Sequence, residues 1–174
     1  VKTSMVNAGT FIERFKAALD AGKDVLYIGM SGGISGTANA ALMAKQELDE
    51  EYPDRKIVVI DTLAASLGEG MFVIKAAEQL KDGASLDAIE EDIRAQVPSM
   101  CQSFTVDDLK YLKKTGRVSG AAAIIGNVLG IHPILVGDYE GKIVVKSKVR
   151  GMKRTLAALA ERYAELVLNK AETI

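Results

Sequence analysis

The chain has 174 residues, 48% of them hydrophobic, with 22 Lys and Arg against 23 Asp and Glu and a net charge of −1. That length suffices for one large or two small domains with a buried core, and the near-zero charge excludes a bulk electrostatic pull toward nucleic acid or a membrane surface. The single cysteine, Cys101, excludes an internal disulfide, and with the single histidine it argues against a structural zinc site.

Thr3-Ser4 stand a few residues ahead of a predicted helix over Ala8–Ala21. Asn7 is its N-cap, Phe11, Phe15, Ala18 and Leu19 share one face, and Gly22 stops it. Asp24–Met30 (DVLYIGM) reads as a buried strand, followed by the glycine-rich hydroxyl loop Ser31–Thr37 (SGGISGT) and a helix over Ala38–Tyr52. Pro53-Asp54 breaks the chain. Lys56–Ile60 is a short apolar run that fits a buried parallel strand. It ends in Asp61, and after Thr62–Ser66 a helix runs to Lys81. The β-α-β-α order predicts a parallel sheet covered by helices. Ser85 then caps a helix through Gln96, with Leu86, Ile89 and Ile93 in register, and Pro98 ends it.

Beyond Pro98 the pattern changes. Gln102–Val106 is a short strand, Asp107–Lys114 a short amphipathic helix stopped by Gly116, and Ser119–Leu129 an apolar helix of small residues. Pro133–Val136 and Lys142–Val149 form a hairpin about Asp138–Gly141, and Met152–Asn169 is a terminal helix. The expectation is an α/β protein of two domains, residues 1–97 and 98–174. The longest apolar run, Ala121–Ile131, contains Asn127 and has 11 residues. A bilayer span needs about 20.

The chemistry concentrates in the loop after the first strand. A strand, a glycine-rich hydroxyl loop and a helix start form a ready anion site, because unpaired amides point out of the helix and its dipole favours negative charge. A P-loop would place Gly-Lys-Ser/Thr there. Here Gly36-Thr37 is followed by Ala38, so the loop suits one small anionic group and is poorly equipped for a triphosphate. The alternative for Ser35 and Thr37 is ordinary helix capping, and for Thr3 and Ser4 ordinary turn chemistry. Asp61 lies where ligands collect beyond the strand ends of open α/β sheets, or serves as a turn aspartate. His132 has no matching nucleophile, and Cys101 has no activating neighbour in sequence. Two basic clusters stand out: Lys110, Lys113, Lys114 and Arg117, then Lys146, Lys148, Arg150, Lys153 and Arg154. They are either a solvated face or a docking surface for an acidic partner. Sparse aromatic interleaving argues against single-stranded nucleic acid.

In order and spacing these landmarks resemble the DegV family of bacterial fatty-acid-binding proteins. The match runs through Thr3-Ser4, Ser31–Thr37, Val59–Asp61 (VID), Ala65–Gly70 (ASLGEG), Asp107–Ser119 (DDLKYLKKTGRVS), Pro133–Leu135 (PIL) and Lys148–Gly151 (KVRG). The resemblance implies a two-domain α/β fold. Its N-terminal part, residues 1–97, has a parallel sheet with helices on both faces and lacks the family's first strand. Residues 98–174 are part of a second α/β domain with a β-hairpin.

The resemblance also implies a non-enzymatic cytoplasmic carrier. It would bind one long-chain fatty acid, need no cofactor or metal, and present the acid to a fatty acid kinase for acyl-phosphate formation. By position Thr3 and Ser35 match the hydroxyls that hold the carboxylate, with Ser4 and Gly36 beside them. A carboxylate needs no lysine, and hydroxyls and helix-start amides leave one oxygen open to attack. At roughly 0.8 kcal/mol per buried methylene, a tail of about 16 carbons offers on the order of 10 kcal/mol before ordering costs. Leu67, Ile74, Ile124, Ile125 and Val128 are candidates for the wall of the acyl tunnel, with plain core packing as the alternative. Arg150, Lys153 and Arg117 are candidates for kinase docking.

Departures from the family pattern are Met5-Val6-Asn7, Gly32, Thr115 and His132. The family's upstream Thr-Asp-Ser strand and its downstream Gly-Thr-His-Thr-Gly-Pro-Gly-type segment have no counterpart here, so the chain reads as a central portion. Two other classes compete. A small-molecule phosphotransferase of related α/β architecture requires acid/base residues and a metal cluster that the sequence does not display. A regulatory binding module would leave the pocket incidental.

Overall fold

The structure, a computed structural model, describes residues 3–107, 109, 112, 114–119 and 130–168. The chain divides into two units: Val1–Met100 with Tyr139–Gly141, and Cys101–Asp138 with Lys142–Ile174. The first runs α1 (Ala8–Asp20), β1 (Val25–Gly29), α2 (Thr37–Glu51), β2 (Ile57–Asp61), α3 (Leu67–Lys81) and α4 (Leu86–Gln96), then a 3-10 turn at Val97–Ser99.

Local chemistry sets the helix starts. Asn7 is extended, and its Oδ1 accepts the Thr10 amide at 3.0 Å, filling one of the positions a helix start leaves unpaired. Ser85 caps α4 in the same way, its Oγ accepting the Ala88 amide at 3.3 Å. Pro98 falls in the 3-10 turn that follows, as expected of a residue that cannot continue the helix.

β1 and β2 pair in parallel, in the register Val25↔Ile57 through Gly29↔Asp61. The two-residue period of β2 divides the core. Ile57 and Val59 pack with Phe11, Phe15 and Leu19 of α1 and Ala41, Ala44 and Leu48 of α2. Val58 and Ile60 pack on the opposite face with Phe72 and Ala76 of α3 and Ile89 and Ile93 of α4. Helices therefore cover both faces of the sheet. Among the described residues β1 has no second partner strand. A cavity of about 670 Å³ adjoins it, lined in part by Leu26 and Ile28 of β1, Val73 and Leu80 of α3 and Ile89 of α4.

The second unit holds β3 (Ser103–Phe104), β4 (Val118–Ser119), β5 (Ile131–Gly137), β6 (Ile143–Arg150) and α5 (Met152–Leu166). Its sheet order is β3-β5-β6-β4, antiparallel except for the parallel β4–β6 pair. The predicted hairpin is present, with a longer first arm, a second arm displaced by one residue, and a register shift in which Ile134 faces Ser147 and Leu135 faces Val145. Lys146 is thus the extra residue of a β-bulge. The Gly151 amide donates to Gly130 O at 2.8 Å, and Arg162 Nε donates to Ser103 Oγ at 2.8 Å, tying α5 to β3. Ile134, Leu135 and Val136 form the buried stretch of β5. The predicted helix over Ser119–Leu129 lies outside the described residues apart from Ser119, which belongs to β4. The terminal helix ends at Leu166 rather than Asn169, because Val167 is extended.

Candidate functional site

The parallel register brings the carboxyl ends of β1 and β2 level at Gly29 and Asp61, where open α/β sheets place their ligands. Two loops leave from there and are stitched together by backbone and side-chain bonds. The Thr62 amide and hydroxyl both donate to Gly29 O, at 3.1 and 2.8 Å, and the Ser31 amide donates to Ala64 O at 2.8 Å. Asp61 completes the seam: Oδ2 accepts the Gly32 amide and Oδ1 the Leu63 amide, each at 2.9 Å. Both carboxylate oxygens are thereby committed to backbone donors. Asp61 thus acts as a turn aspartate joining the loops.

Ser31 is the buried pivot of the glycine loop, with 0% of its surface exposed. Its Oγ donates to Gly141 O at 2.7 Å and accepts the Gly33 amide at 3.1 Å. Its own carbonyl accepts the Ile34 and Ser35 amides at 3.0 and 3.1 Å. These bonds shape the loop so that Ser35 comes just before α2. Ser35 Oγ accepts the Thr37 amide at 3.3 Å and lies 2.8 Å from Thr37 Oγ1. If Thr37 donates in that pair, Ser35 keeps its proton for an outside acceptor. Gly36 is the N-cap of α2 and has no side chain to cap with, so beyond the Thr37 amide held by Ser35 no side chain caps this helix start, which favours an anion.

Thr3 and Ser4 are exposed in the leader segment ahead of α1, and their hydroxyls have no hydrogen-bond partner among the described residues. The leader lies against the loop. A Cβ added at Gly36 would sit 2.8 Å from Met5 Sδ, so the thioether occupies the space a side chain would need. Thr3, Ser4, Ser35 and Gly36 are thus held by two adjoining segments of one unit. Glu69 lies in the first turn of α3, where burial pushes its carboxyl above the ordinary range.

The other sequence-predicted residues are dispersed. Leu67 and Ile74 are 83% and 60% exposed on α3, and the cavity beside β1 is lined by a different face of that helix. Ile124, Ile125 and Val128 lie outside the described residues. Arg150 and Lys153 are exposed, flanking Gly151 where β6 gives way to α5. Arg117 donates to Thr115 O at 2.8 Å and precedes β4, whose Val118 pairs with Ile143 at the far end of β6. At about 3.3 Å per residue, Arg117 stands roughly 25 Å from Arg150 along the strand, so the three cations do not form one cluster. His132 lies on β5, its buried Nδ1 without a hydrogen bond and 3.9 Å from Asp107 Oδ1. Among the described residues no group of three His, Cys, Asp or Glu side chains is arranged to hold a metal, and no helix is long and apolar enough to cross a membrane.

Sequence reasoning passed over Ser31, whose partner is 110 residues away. No local pattern signals such a bond.

Comparison with known proteins bears on the same segments. The family described as "Uncharacterised protein, DegV family" matches residues 1–174. A DegV domain-containing protein of Clostridium perfringens is 39% identical over 170 residues, covering 98% of this chain and 58% of the relative. A fatty-acid-binding DegV family protein of Streptococcus agalactiae superposes with a TM-score of 0.83 at 34% identity, over 97% of this chain and 58% of that one. A DegV family protein of Ruminococcus gnavus, refined with vaccenic acid, gives a TM-score of 0.83 at 28% identity, over 97% and 59%. The chain thus spans less than two thirds of the length of each of these proteins.

Proposed function

The chain belongs to the DegV family, and we propose that it is the part of a carrier that holds one long-chain fatty acid by its carboxylate. Thr3 and Ser35 donate to the carboxylate oxygens, with Ser4 and the Gly36 amide beside them. The observation that carries this reading is the cation-free loop at the strand ends. It offers a hydroxyl and helix-start amides, and a leader bearing two further hydroxyls lies against it. Such a site satisfies a carboxylate without neutralising it completely, which leaves an oxygen nucleophilic. The fatty-acid-binding relative from Streptococcus agalactiae and the vaccenic-acid complex from Ruminococcus gnavus support the same ligand class.

The acyl chain would run along apolar walls to which Leu67, Ile74, Ile124, Ile125 and Val128 contribute. The carrier performs no chemistry itself. It works in the cytoplasm and presents the carboxylate to a fatty acid kinase, docked through Arg150 and Lys153, with Arg117 as a separate contact. The phosphotransferase alternative is not favoured, because the Ser31–Thr37 loop carries no lysine or arginine to hold a phosphate.

The test is native mass spectrometry of the chain followed by denaturation and organic extraction. A near-stoichiometric fatty acid, or uptake of added palmitate, that is lost in the Thr3→Val, Ser35→Ala double variant is the expected result. A folded chain that takes up neither palmitate nor oleate overturns the reading.

A further inference from the structure

One polar side chain of β1 has no role in the site as described so far. Tyr27 is half-buried at the centre of a strand that is otherwise aliphatic and glycine. Its ring meets Phe11 edge-on at 5.0 Å and Phe15 at 6.5 Å, which fixes it beneath the first turns of α1. The phenol does not point out from the strand. It lies forward over Gly29, two residues on along the same face. A Cβ there would stand 2.3 Å from Tyr27 Oη and 2.5 Å from two ring carbons. Gly29 is the residue that lets the hydroxyl reach the end of the strand. It is in register with Asp61, and Ser31 opens the loop two residues later.

The hydroxyl has no hydrogen-bond partner among the described residues, although the ring beneath it is fixed. Burial raises its pKa, and the negative charges of Glu69 and Asp61 raise it further, so the phenol is a protonated donor at neutral pH. A donor held at this height, next to a loop that binds through hydroxyls, calls for an acceptor on the ligand.

Resting on the carrier reading, we propose that Tyr27 is a third hydroxyl of the carboxylate site, donating from the β1 end while Thr3 and Ser35 donate from the leader and the loop. It selects for an acidic head group over an alcohol, because a carboxylate has enough lone pairs to accept all three and a hydroxyl oxygen has not.

The test compares Tyr27→Phe with the unaltered chain, measuring palmitate and 1-hexadecanol by isothermal titration. Phenylalanine keeps both ring contacts and removes the hydroxyl alone, and thermal unfolding checks that the fold is retained. The expected result is about a tenfold or greater loss of palmitate affinity with hexadecanol unchanged, in line with a bond to a charged group. Unchanged palmitate affinity overturns the Tyr27 assignment and leaves the carrier reading standing. Equal loss for both ligands also overturns it, because ring packing would then be the cause. An unaltered chain that binds neither ligand removes the carrier reading and this assignment with it.

Discussion

Ser31→Ala should weaken the loop more than any other single hydroxyl removal in the site. The Ser31 hydroxyl is fully buried and makes two bonds, donating to Gly141 O and accepting from the Gly33 amide. Alanine removes both partners' bonds and admits no water in exchange. Each neutral bond contributes about 1 kcal/mol net, and a buried acceptor left alone adds a desolvation cost, so the loss should be about 2–3 kcal/mol. The assay is urea unfolding paired with hydrogen exchange on peptides covering residues 31–37. The Gly33 amide should exchange at least tenfold faster. Ser35→Ala is the control. Its hydroxyl is only partly buried and caps a single amide, so it should cost about 1 kcal/mol or less while carrying the larger loss of ligand affinity. A change at Ser31 of less than about 0.5 kcal/mol, with Gly33 exchange unaltered, would show that the buried bonds do not hold the loop.

Leu48→Ala should cost about 3 kcal/mol in urea unfolding, because Leu48 is fully buried among alanines already too small to close the cavity. The hydrogen bond to Asp20, with burial second, pushes the Tyr52 hydroxyl up to about 12 from 10.0. Its contribution to stability is therefore complete below pH 10 and lost as pH rises toward 12. An ultraviolet titration of the five tyrosines should show a late step that Tyr52→Phe removes. Burial pushes Glu90 up, but its bonds from Lys56 and Arg94 outweigh that and hold it below 4.5. Its contribution is present above pH 4.5 and lost as pH falls through the folded value, so Glu90→Gln should flatten the acid limb of the stability curve. Arg150→Glu with Lys153→Glu should reduce phosphorylation of the bound acid by the kinase while sparing lipid uptake. Arg117→Glu should act independently of that pair, and equal loss of uptake in either case would count against docking.

What the sequence disclosed follows the range of the forces involved. Asn7 and Ser85 cap over three residues, and such local chemistry can be read from the chain. β1 and β2 are short apolar runs between breakers, and the alternation of elements implied their parallel pairing. The apolar residues of α3 gave no such guidance. Leu67, Met71, Phe72, Val73, Ile74, Ala76 and Leu80 encircle the helix, so periodicity could not show that Phe72 and Ala76 face the core while Leu67 and Ile74 face outward. The separation of Arg117 from Arg150 depends on strand register, and the bond from Ser31 to Gly141 joins distant parts of the chain. In the sequence Tyr27 is one residue of a strand run and no more, because the direction of its hydroxyl depends on the missing Cβ two residues later.

The two sheets expose very different backbone margins. Beyond its short pairing with β4 at Ile143 and Val144, β6 carries Lys146, Lys148 and Arg150 along a bulged course. These are the devices that stop a strand from serving as a template for another. β1 has none of them. Val25–Gly29 contains no charge, proline or bulge, and one side of it is bare of a partner strand among the described residues. When copies of this chain are concentrated, addition of a foreign strand should begin at β1, and the cations of β6 will not prevent it. A single lysine placed outward on β1 is the economical way to keep such a preparation monodisperse.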